Sequence, residues 1–301
     1  MIVFKRCGNY LIYLQKLPDI TITNENRESL KNVSKEQKLH AKYRANKLLI
    51  LKIEHLWEKE KDEILITIDK IKNTIFPEKR LTYKVGEIIE ELEFDENLEK
   101  ICSQGIHYYL DKDTAKFCMN SPITKGNFSG EAIEYHENGS IWTKSHYIQG
   151  KEDGKYEVWY ENGNIYIRGT YIQEKLNGKY KEWHVNGNLH IKCNYIQGKL
   201  EGEYKEWYNG NLYIKCMYIQ EKLNGKYERW YENGNLYEKC TYIQGKEDGK
   251  HEKWYENGNF YERYTCIQGK KDGNYERWGE SGNIREKITY SKGKIISTEI
   301  L

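Results

Sequence analysis

Few residues in this sequence have the types and spacing that catalysis requires. Cys102 and His107 are the one pair that could be drawn as a nucleophile and its base. They are five residues apart across Gly105, and no third group orients the histidine, so a structural role is favoured. His40 and His55 are isolated histidines, and a structural role is favoured for them as well. The sequence therefore predicts a protein without catalytic residues, a cofactor or a metal centre.

Short motifs for phosphate binding and hydrolysis give no alternative. The sequence has no GxxxxGK[ST], no GxGxxG after a strand, no HExxH and no GxSxG. Gly-Lys pairs recur, but they fall in predicted β-turns, so they cannot form a phosphate site at a helix N-terminus.

A basic residue that recurs once per repeat is the main candidate for binding. Because side chains alternate along a strand, tyrosines two positions earlier are predicted to share its face. Such a surface suits an acidic partner, phosphoinositide headgroups or a phosphate backbone. The candidate binding residues are Tyr166, Arg168, Lys192, Tyr213, Lys215, Tyr237, Lys239, Tyr261 and Arg263.

The overall charge favours internal pairing of these basic residues instead. The chain has 48 basic and 46 acidic side chains, a formal net charge of only +2. Glutamates in the neighbouring strands, such as Glu157, Glu228, Glu252 and Glu276, are the expected partners. Alternation along the strands leaves open whether the two signs lie on the same face.

The composition indicates a hydrophilic but ordered chain. Of its 301 residues 38% are hydrophobic, too few for a deep core, whereas 14% are aromatic, which argues against disorder. No apolar run is long enough to span a membrane, and no signal peptide is predicted. Seven cysteines without metal-ligand spacing indicate reduced thiols. We expect a soluble cytoplasmic protein.

Internal repetition is the strongest feature of the sequence. Glycines recur at intervals of 24 residues, with one interval of 23, at Gly130, Gly154, Gly178, Gly202, Gly225, Gly249 and Gly273. Each repeat has Asn-Gly between two aromatic runs, which predicts a hairpin with a type I′ turn. The return turns are predicted at Gly-Lys-Glu-Asp-Gly or Glu-Lys-Leu-Asn-Gly, such as 150–154 and 174–178. One hairpin turn and one return turn in each repeat predict two strands per repeat.

Seven such repeats predict a single-layer antiparallel meander over residues 121–301, an elongated rod with Lys294–Leu301 as a closing strand. Columns of Trp and Tyr at equivalent positions are expected to stabilise it. Cys193, Cys216 and Cys240 occupy one position in successive repeats. They lie two strands apart, about 9.6 Å, which is too far for a disulfide, so a cysteine ladder is predicted.

Residues 1–120 contain no repeat and predict a small α+β domain. Asn9–Leu17 and Leu48–Ile53 are predicted strands, and Asp62–Ile71 is either a strand or an amphipathic helix. Tyr83–Phe94 is extended with a turn, and a short helix is predicted from Lys112 to Cys118.

The recurring pattern G-K-Y-x-x-W-Y-E-N-G-N-L resembles the variant MORN (membrane occupation and recognition nexus) repeat, including its bacterial antitoxin-like relatives, over about 175 residues. The resemblance implies a rod of hairpins used for scaffolding, dimerisation or protein contact, with phospholipid binding in some members and no catalysis.

Three motifs of the first 120 residues resemble an uncharacterised domain that accompanies repeat arrays in proteins of large DNA viruses. They are 41–47 (AKYRANK), 83–87 (YKVGE) and 102–107 (CSQGIH). This resemblance implies a viral protein of host cytoplasm or virion, and it implies no activity.

These observations predict a non-enzymatic scaffold that binds a protein partner through a Tyr/Trp-rich β surface, with homodimerisation through the repeats as one form of contact. The alternatives are a peripheral membrane module that binds anionic phospholipid through the basic column, and an N-terminal enzyme domain targeted by the repeats. No specific nucleic acid partner is expected.

Overall fold

The computed structural model describes residues 1–59, 65–72, 81–118 and 128–301. These residues form two compact units, Met1–Asn164 and Ile165–Leu301. The predicted domain boundary at 120 and 121 lies outside the described residues, as does the beginning of the segment predicted from Asp62.

The first unit begins with nine strands and short helices, which agrees with the α+β prediction. One turn of 3-10 helix covers Glu28–Leu30, and the α-helices are α1 (Lys35–His40) and α2 (Lys112–Lys116). The strands are β1 (Ile2–Cys7), β2 (Tyr10–Gln15), β3 (Lys42–Ala45), β4 (Lys47–Lys59), β5 (Leu65–Thr67), β6 (Lys70–Lys72), β7 (Thr82–Lys84), β8 (Ile88–Glu90) and β9 (Ile106–Tyr109).

Seven of these strands form one sheet in the order β3-β9-β1-β2-β4-β5, with β8 also paired to β4, and β6 pairs with β7. Alternating apolar residues of β1, β2 and β4, such as Val3, Leu14 and Ile53, are fully buried in its core. The strands β1 and β3 were not predicted, because their apolar residues are interrupted by Lys5, Arg6 and Arg44.

Arg44 explains how a basic residue can lie inside this core. Its guanidinium is fully buried and donates hydrogen bonds to four backbone carbonyls rather than to a carboxylate. The acceptors are Asp95 (2.6 Å), Lys100 (2.8 Å), Gln104 (3.1 Å) and Asn97. Arg44 therefore holds the irregular segment before β9 in place.

The remaining strands of the first unit are β10 (Gly130–Tyr135), β11 (Ile141–Ile148) and β12 (Lys151–Trp159). They pack on the N-terminal part, because Ala132 and Tyr147 share a buried cluster with Phe117. The turn after β10 fits closely too: a Cβ on Gly139 would lie 1.8 Å from the carbonyl oxygen of Gln37. The N-terminal residues thus cover the first repeat, as the one-dimensional architecture requires.

The second unit contains only β-strands, all of them in the antiparallel meander. Counting both units, the meander has 20 strands in chain order, and the predicted fold class is confirmed. The strands of the second unit are β13 (Ile165–Ile172), β14 (Lys175–Leu176), β15 (Gly178–Trp183), β16 (Leu189–Ile196), β17 (Lys199–Leu200), β18 (Gly202–Tyr208), β19 (Asn211–Ile219), β20 (Lys222–Leu223), β21 (Gly225–Trp230), β22 (Leu236–Ile243), β23 (Lys246–Glu247), β24 (Gly249–Trp254), β25 (Phe260–Ile267), β26 (Lys270–Lys271), β27 (Gly273–Trp278), β28 (Ile284–Ser291) and β29 (Lys294–Ile300). The last of these pairs with β28 and is the predicted closing strand.

The prediction of type I′ turns at Asn-Gly is wrong for most repeats. At 160–164 only Gly163 has a positive φ (+86°), and its N–H donates to the carbonyl of Tyr160. This is a three-residue loop, a type I turn followed by a left-handed glycine. The shortened repeat is the exception: Asn209 (+48°) and Gly210 (+85°) both have positive φ and form the two-residue turn.

The return turns also lie earlier than predicted. Gln197 (φ +50°) and Gly198 (φ +82°) form the tight turn, and Gln173 and Glu174 have the same conformation without glycine. The next residues, Lys175–Leu176 and Lys199–Leu200, already belong to strands. Sequence reasoning missed these turns because neither Gln-Gly nor Gln-Glu is one of the dipeptides that typically indicate a tight turn.

Buried residues of the second unit form a thin stack rather than a deep core. Cys193, Cys216 and Cys240 are each at most 5% exposed and lie opposite the first-strand tyrosine of their own repeat. That tyrosine also contacts a second one edge-on, as in Tyr180 and Tyr195, whose ring centroids are 5.5 Å apart. The aromatic contacts are therefore made between strands within a repeat, in addition to the predicted columns.

Candidate functional sites

The repeat sheet of the second unit has two chemically different faces. On adjacent strands Tyr180 lies opposite Cys193, and Lys181 lies opposite Lys192. We call the first of these the tyrosine face and the second the lysine face. Because side chains alternate, the buried thiols and the main basic column lie on different faces.

The predicted tyrosines do not share the lysine face. Tyr237 is the extra residue of a β-bulge. Its neighbours Glu238 and Leu236 lie opposite the consecutive residues Arg229 and Trp230, so no residue lies directly opposite Tyr237. The Tyr237 ring instead stacks on the Arg229 guanidinium, 4.1 Å from the ring centroid, on the tyrosine face. The bulge shifts the alternation by one residue, so the shared-face prediction is wrong.

The other predicted tyrosines follow the same pattern. The register likewise omits Tyr213 and Tyr261, and Tyr261 lies 5.5 Å from the Arg277 guanidinium. Tyr166 lies near Glu182, a carboxylate of the tyrosine face, and burial together with Glu182 raises the pKa of this tyrosine. The predicted combination of a basic residue with a tyrosine on one face is thereby divided between two faces.

On the lysine face, one residue from each long strand forms a line that we call the central row. The register connects these residues from strand to strand: Arg168, Lys181, Lys192, Lys205, Lys215, Glu228, Lys239, Glu252, Arg263, Glu276, Lys287 and Glu299. The first five are all basic, and we call them the basic block. From Glu228 onwards the signs alternate.

In the part of the central row where the signs alternate, the basic residues pair with glutamates of the neighbouring strands, as the near-zero net charge predicted. Lys239 Nζ lies 3.9 Å from a carboxylate oxygen of Glu228, and Arg263 Nη2 lies 2.6 Å from one of Glu276. Each cation in this part has acidic residues opposite it on both sides. Lys239 and Arg263 are therefore candidate binding residues whose charge is offset locally.

The four lysines of the basic block have one carboxylate within ion-pair distance among residues 165–301. Glu203 lies 2.8 Å from Lys205 Nζ and 3.8 Å from Lys215 Nζ. Its hydrogen bond with Lys205 is the largest of the influences that lower the pKa of its carboxyl group. Within residues 165–301, all of which are described, neither Lys181 nor Lys192 makes an ion pair. Four lysines in register on adjacent strands with a single carboxylate leave a local positive surface.

Lys181 and Lys205 are functional candidates that the sequence prediction missed. The signal was present, because the equivalent positions of other repeats carry Glu157, Glu228, Glu252 and Glu276. The first strands of two neighbouring repeats carry Lys181 and Lys205 in place of this glutamate, so the expected partners of the basic column are missing there.

A row of exposed isoleucines follows the turn edge of the repeats. They are Ile172, Ile196, Ile219, Ile243 and Ile267, between 48% and 54% exposed. Each lies opposite a lysine across its tight turn, as Ile196 does with Lys199. Large apolar side chains repeated at an exposed edge are typical of interaction surfaces.

In the first unit, Cys102 and His107 do not form a catalytic pair. Cys102 Sγ lies 2.6 Å from Glu137 Oε1 and 3.0 Å from Lys42 Nζ. Partial desolvation and the hydrogen bond with Glu137 raise the pKa of this thiol. His107 Nε2 instead faces the carbonyl of Ile101 at 3.1 Å. Cys102 is held as a neutral thiol rather than activated as a nucleophile.

The other histidines singled out from the sequence have structural partners. His40 Nδ1 lies 2.6 Å from Thr114 Oγ1, and its ring stacks on Tyr135 at 4.0 Å. His55 packs edge-on against Tyr10. Among the described residues no group of three or more His, Cys, Asp or Glu is arranged to hold a metal ion. No helix there is long and apolar enough to cross a bilayer.

The strand arrangement defines a β-hairpin repeat protein with an additional N-terminal domain. Five segments match the MORN repeat variant: 128–149, 152–173, 176–197, 223–244 and 271–292. Residues 1–115 match a family of unknown function, DUF5758. No curated protein matches the chain. The chain thus contains MORN repeats, as the sequence pattern predicted, whereas the viral origin and the antitoxin-like relationship stay predictions.

Proposed function

We propose that this chain is a non-catalytic interaction module whose MORN repeats bind protein partners through the sheet surface. The observation that supports this most is the exposed apolar edge, in which the same isoleucine is half exposed in five successive repeats. A large apolar side chain that recurs at a water-facing position is typical of a surface that a partner covers. Aromatic residues beside it add contact area at low entropic cost.

The chemistry of the first unit supports a structural role for the N-terminal domain. The Cys102 thiol is held neutral between Lys42 and Glu137, and His107 is bonded to a backbone carbonyl. The turn at Gly139 is packed on Gln37. The domain therefore closes one end of the meander, where β10 would otherwise expose an edge to aggregation.

Cross-linking of the full chain inside the cells that produce it, followed by identification of linked peptides, tests the interaction role. Links should concentrate on lysines of the sheet faces, such as Lys199 and Lys222 beside the isoleucines. Replacing Ile196 and Ile219 with Ser should remove the partner while leaving the folded chain intact. A chain that binds no protein, or binds equally well after these replacements, contradicts the proposal.

A second candidate is a peripheral membrane module, favoured by the isoleucine row with lysines directly opposite it. Flotation with phosphatidylserine vesicles distinguishes it. Binding that requires anionic lipid, weakens with salt and is lost in the same Ile-to-Ser variant would identify the membrane as the target.

A further inference from the structure

The basic block departs from the charge pairing used by the rest of the sheet. Lys181 lies between Arg168 and Lys192, and Lys205 lies between Lys192 and Lys215. Like charges directly opposite each other destabilise a sheet. The fold does not require them, because glutamate occupies the same position at Glu228, Glu252 and Glu276. Repulsive pairs of this kind, which lower stability, are expected where the surface also binds a ligand.

We propose that the basic block binds an acidic α-helical segment of a partner protein, laid across the strands. This inference deepens the proposed function and rests on it, since it specifies what part of the sheet makes the contact and with which chemistry. The contact residues are Arg168, Lys181, Lys192, Lys205 and Lys215.

The spacing of the cations favours an α-helix over an extended strand as the ligand. Neighbouring strands lie about 4.8 Å apart, so the five cations span roughly 19 Å. Acidic residues three and four positions apart along one helix face advance about 5.3 Å per step. The two series stay within about 2 Å of each other over five positions, which lysine side chains can accommodate. An extended acidic strand advances about 6.8 Å between side chains on one face and loses register after two steps.

The five cations lie near the centres of their strands, so they form a nearly straight line across the twisted sheet. The strands of a twisted sheet rotate about an axis that crosses them, and residues near strand centres stay close to this axis. Lys192 is near the middle of Leu189–Ile196, and Lys181 is inside Gly178–Trp183. A straight helix of about 13–15 residues can therefore meet all five cations.

Apolar residues beside the block complete the contact. The Arg168 guanidinium lies 5.9 Å from the ring of Trp183, which places this tryptophan on the lysine face. Trp183 is two residues from Lys181 along the strand, about 6.8 Å. A helix about 10–12 Å wide that is centred on the cations also covers such flanking residues. The expected ligand is an amphipathic helix with an acidic stripe beside an apolar one.

The other polyanions fit these observations less well. Single-stranded nucleic acid would have to stack its bases on tryptophans such as Trp183, because the repeat tyrosines beside the bulge contact cations of the opposite face. A bilayer surface has no fixed spacing of charges and gains nothing from a block with strand register. Both are tested as competing ligands.

The direct test is binding of a fluorescein-labelled, alanine-based peptide of about 15 residues to the full chain, followed by anisotropy. Its glutamates are alternately three and four residues apart, and a second peptide of identical composition spreads them around the helix. The variant is Lys181→Glu with Lys205→Glu, which installs residues that sister repeats already carry. The matched control is Lys226→Glu with Lys250→Glu, an equal charge change at positions opposite Thr241 and Thr265.

We expect the striped peptide to bind, and the Lys181/Lys205 variant to weaken it roughly tenfold or more, with less than about a twofold change in the control. Equal affinity for the two peptides, or equal losses in the two variants, overturns the proposal. Tighter binding of phosphatidylserine vesicles or of oligo-dT that is lost in the same variant also overturns it, and names the other ligand.

The outcome separates this inference from the proposed function. If the Lys181/Lys205 variant keeps its cross-linked partner while the Ile196/Ile219 variant loses it, the protein-binding role stands and the acidic-helix assignment fails. If neither protein partner nor peptide binds, both fail.

Discussion

Lys181 and Lys192 lie directly opposite each other on neighbouring strands, and neither is in an ion pair within residues 165–301. The strand pairing of the repeats holds them there, since Tyr180 and Glu182 on either side of Lys181 are paired in register with Cys193 and Ile191. The sheet thus accepts a repulsive pair that one substitution would remove.

Lys181→Glu is therefore expected to stabilise the protein. It converts repulsion on both sides of position 181 into attraction, which adds about 0.5–1 kcal/mol to the free energy of unfolding. Urea denaturation followed by tryptophan fluorescence measures the gain, and high salt should reduce it. Lys226→Glu, opposite Thr241, is the control and should change little. Equal shifts in the two variants would refute the assigned register.

Two glycines at the same repeat position provide a test of the contact between the turn of the first repeat and Gln37. Gly139 (φ +85°) and Gly163 (φ +86°) have the same backbone conformation, but a Cβ on Gly139 meets the Gln37 carbonyl whereas none lies within 4 Å of Gly163. We expect Gly163→Ala to cost about 1 kcal/mol through its left-handed conformation. Gly139→Ala should cost about 3 kcal/mol or more because the turn must also move away. Thermal unfolding checks the difference, and similar losses in both would contradict the packing at Gln37.

The periodicity of the sequence was sufficient to predict the repeat fold, because every repeat carries the same glycines and aromatic residues. The turn types were not predictable from Asn-Gly alone. Asn257 Nδ2 donates to the carbonyl of Glu280 in the next repeat (2.9 Å), and Asn233 does the same with Glu256. These contacts between loops favour the three-residue turn, and a dipeptide signal contains no information about them.

The face assignment failed for a related reason. Alternation is reliable only while the register is regular, and the bulge next to each tryptophan shifts the side chains that follow it, so Tyr237 meets Arg229 rather than Lys239. In the N-terminal domain, Arg44 is buried through backbone carbonyls that belong to a segment more than 50 residues away. A partner of that kind is determined by tertiary structure, and composition does not reveal it.

Thiol reactivity provides a further test of the repeat packing. Burial raises the pKa of Cys193 and of Cys216 to about 11, and that of Cys240 to about 12. Near pH 8 these thiols are almost entirely protonated and inaccessible, so they should resist an aromatic disulfide reagent until the protein unfolds. Cys102 is exposed and should react first. Cys102→Ser should remove this early reaction, and rapid labelling of Cys216 in that variant would contradict the buried ladder.

His107 should make the first unit sensitive to acid. Its burial, together with Lys5 and Lys42, lowers the pKa of its imidazole to about 4, below the ordinary value of 6.5. The folded state therefore keeps a neutral ring where the unfolded state takes up a proton, so this contribution to stability is complete above pH 6.5 and is lost as the pH falls to 4. The loss reaches about 3 kcal/mol. His107→Gln keeps an N–H donor for the Ile101 carbonyl, and its free energy of unfolding should fall less than that of the parent chain between pH 7 and 4.5. NMR titration of the ring reads the pKa directly, and a midpoint near 6.5 would show that His107 is neither buried nor influenced by the two lysines.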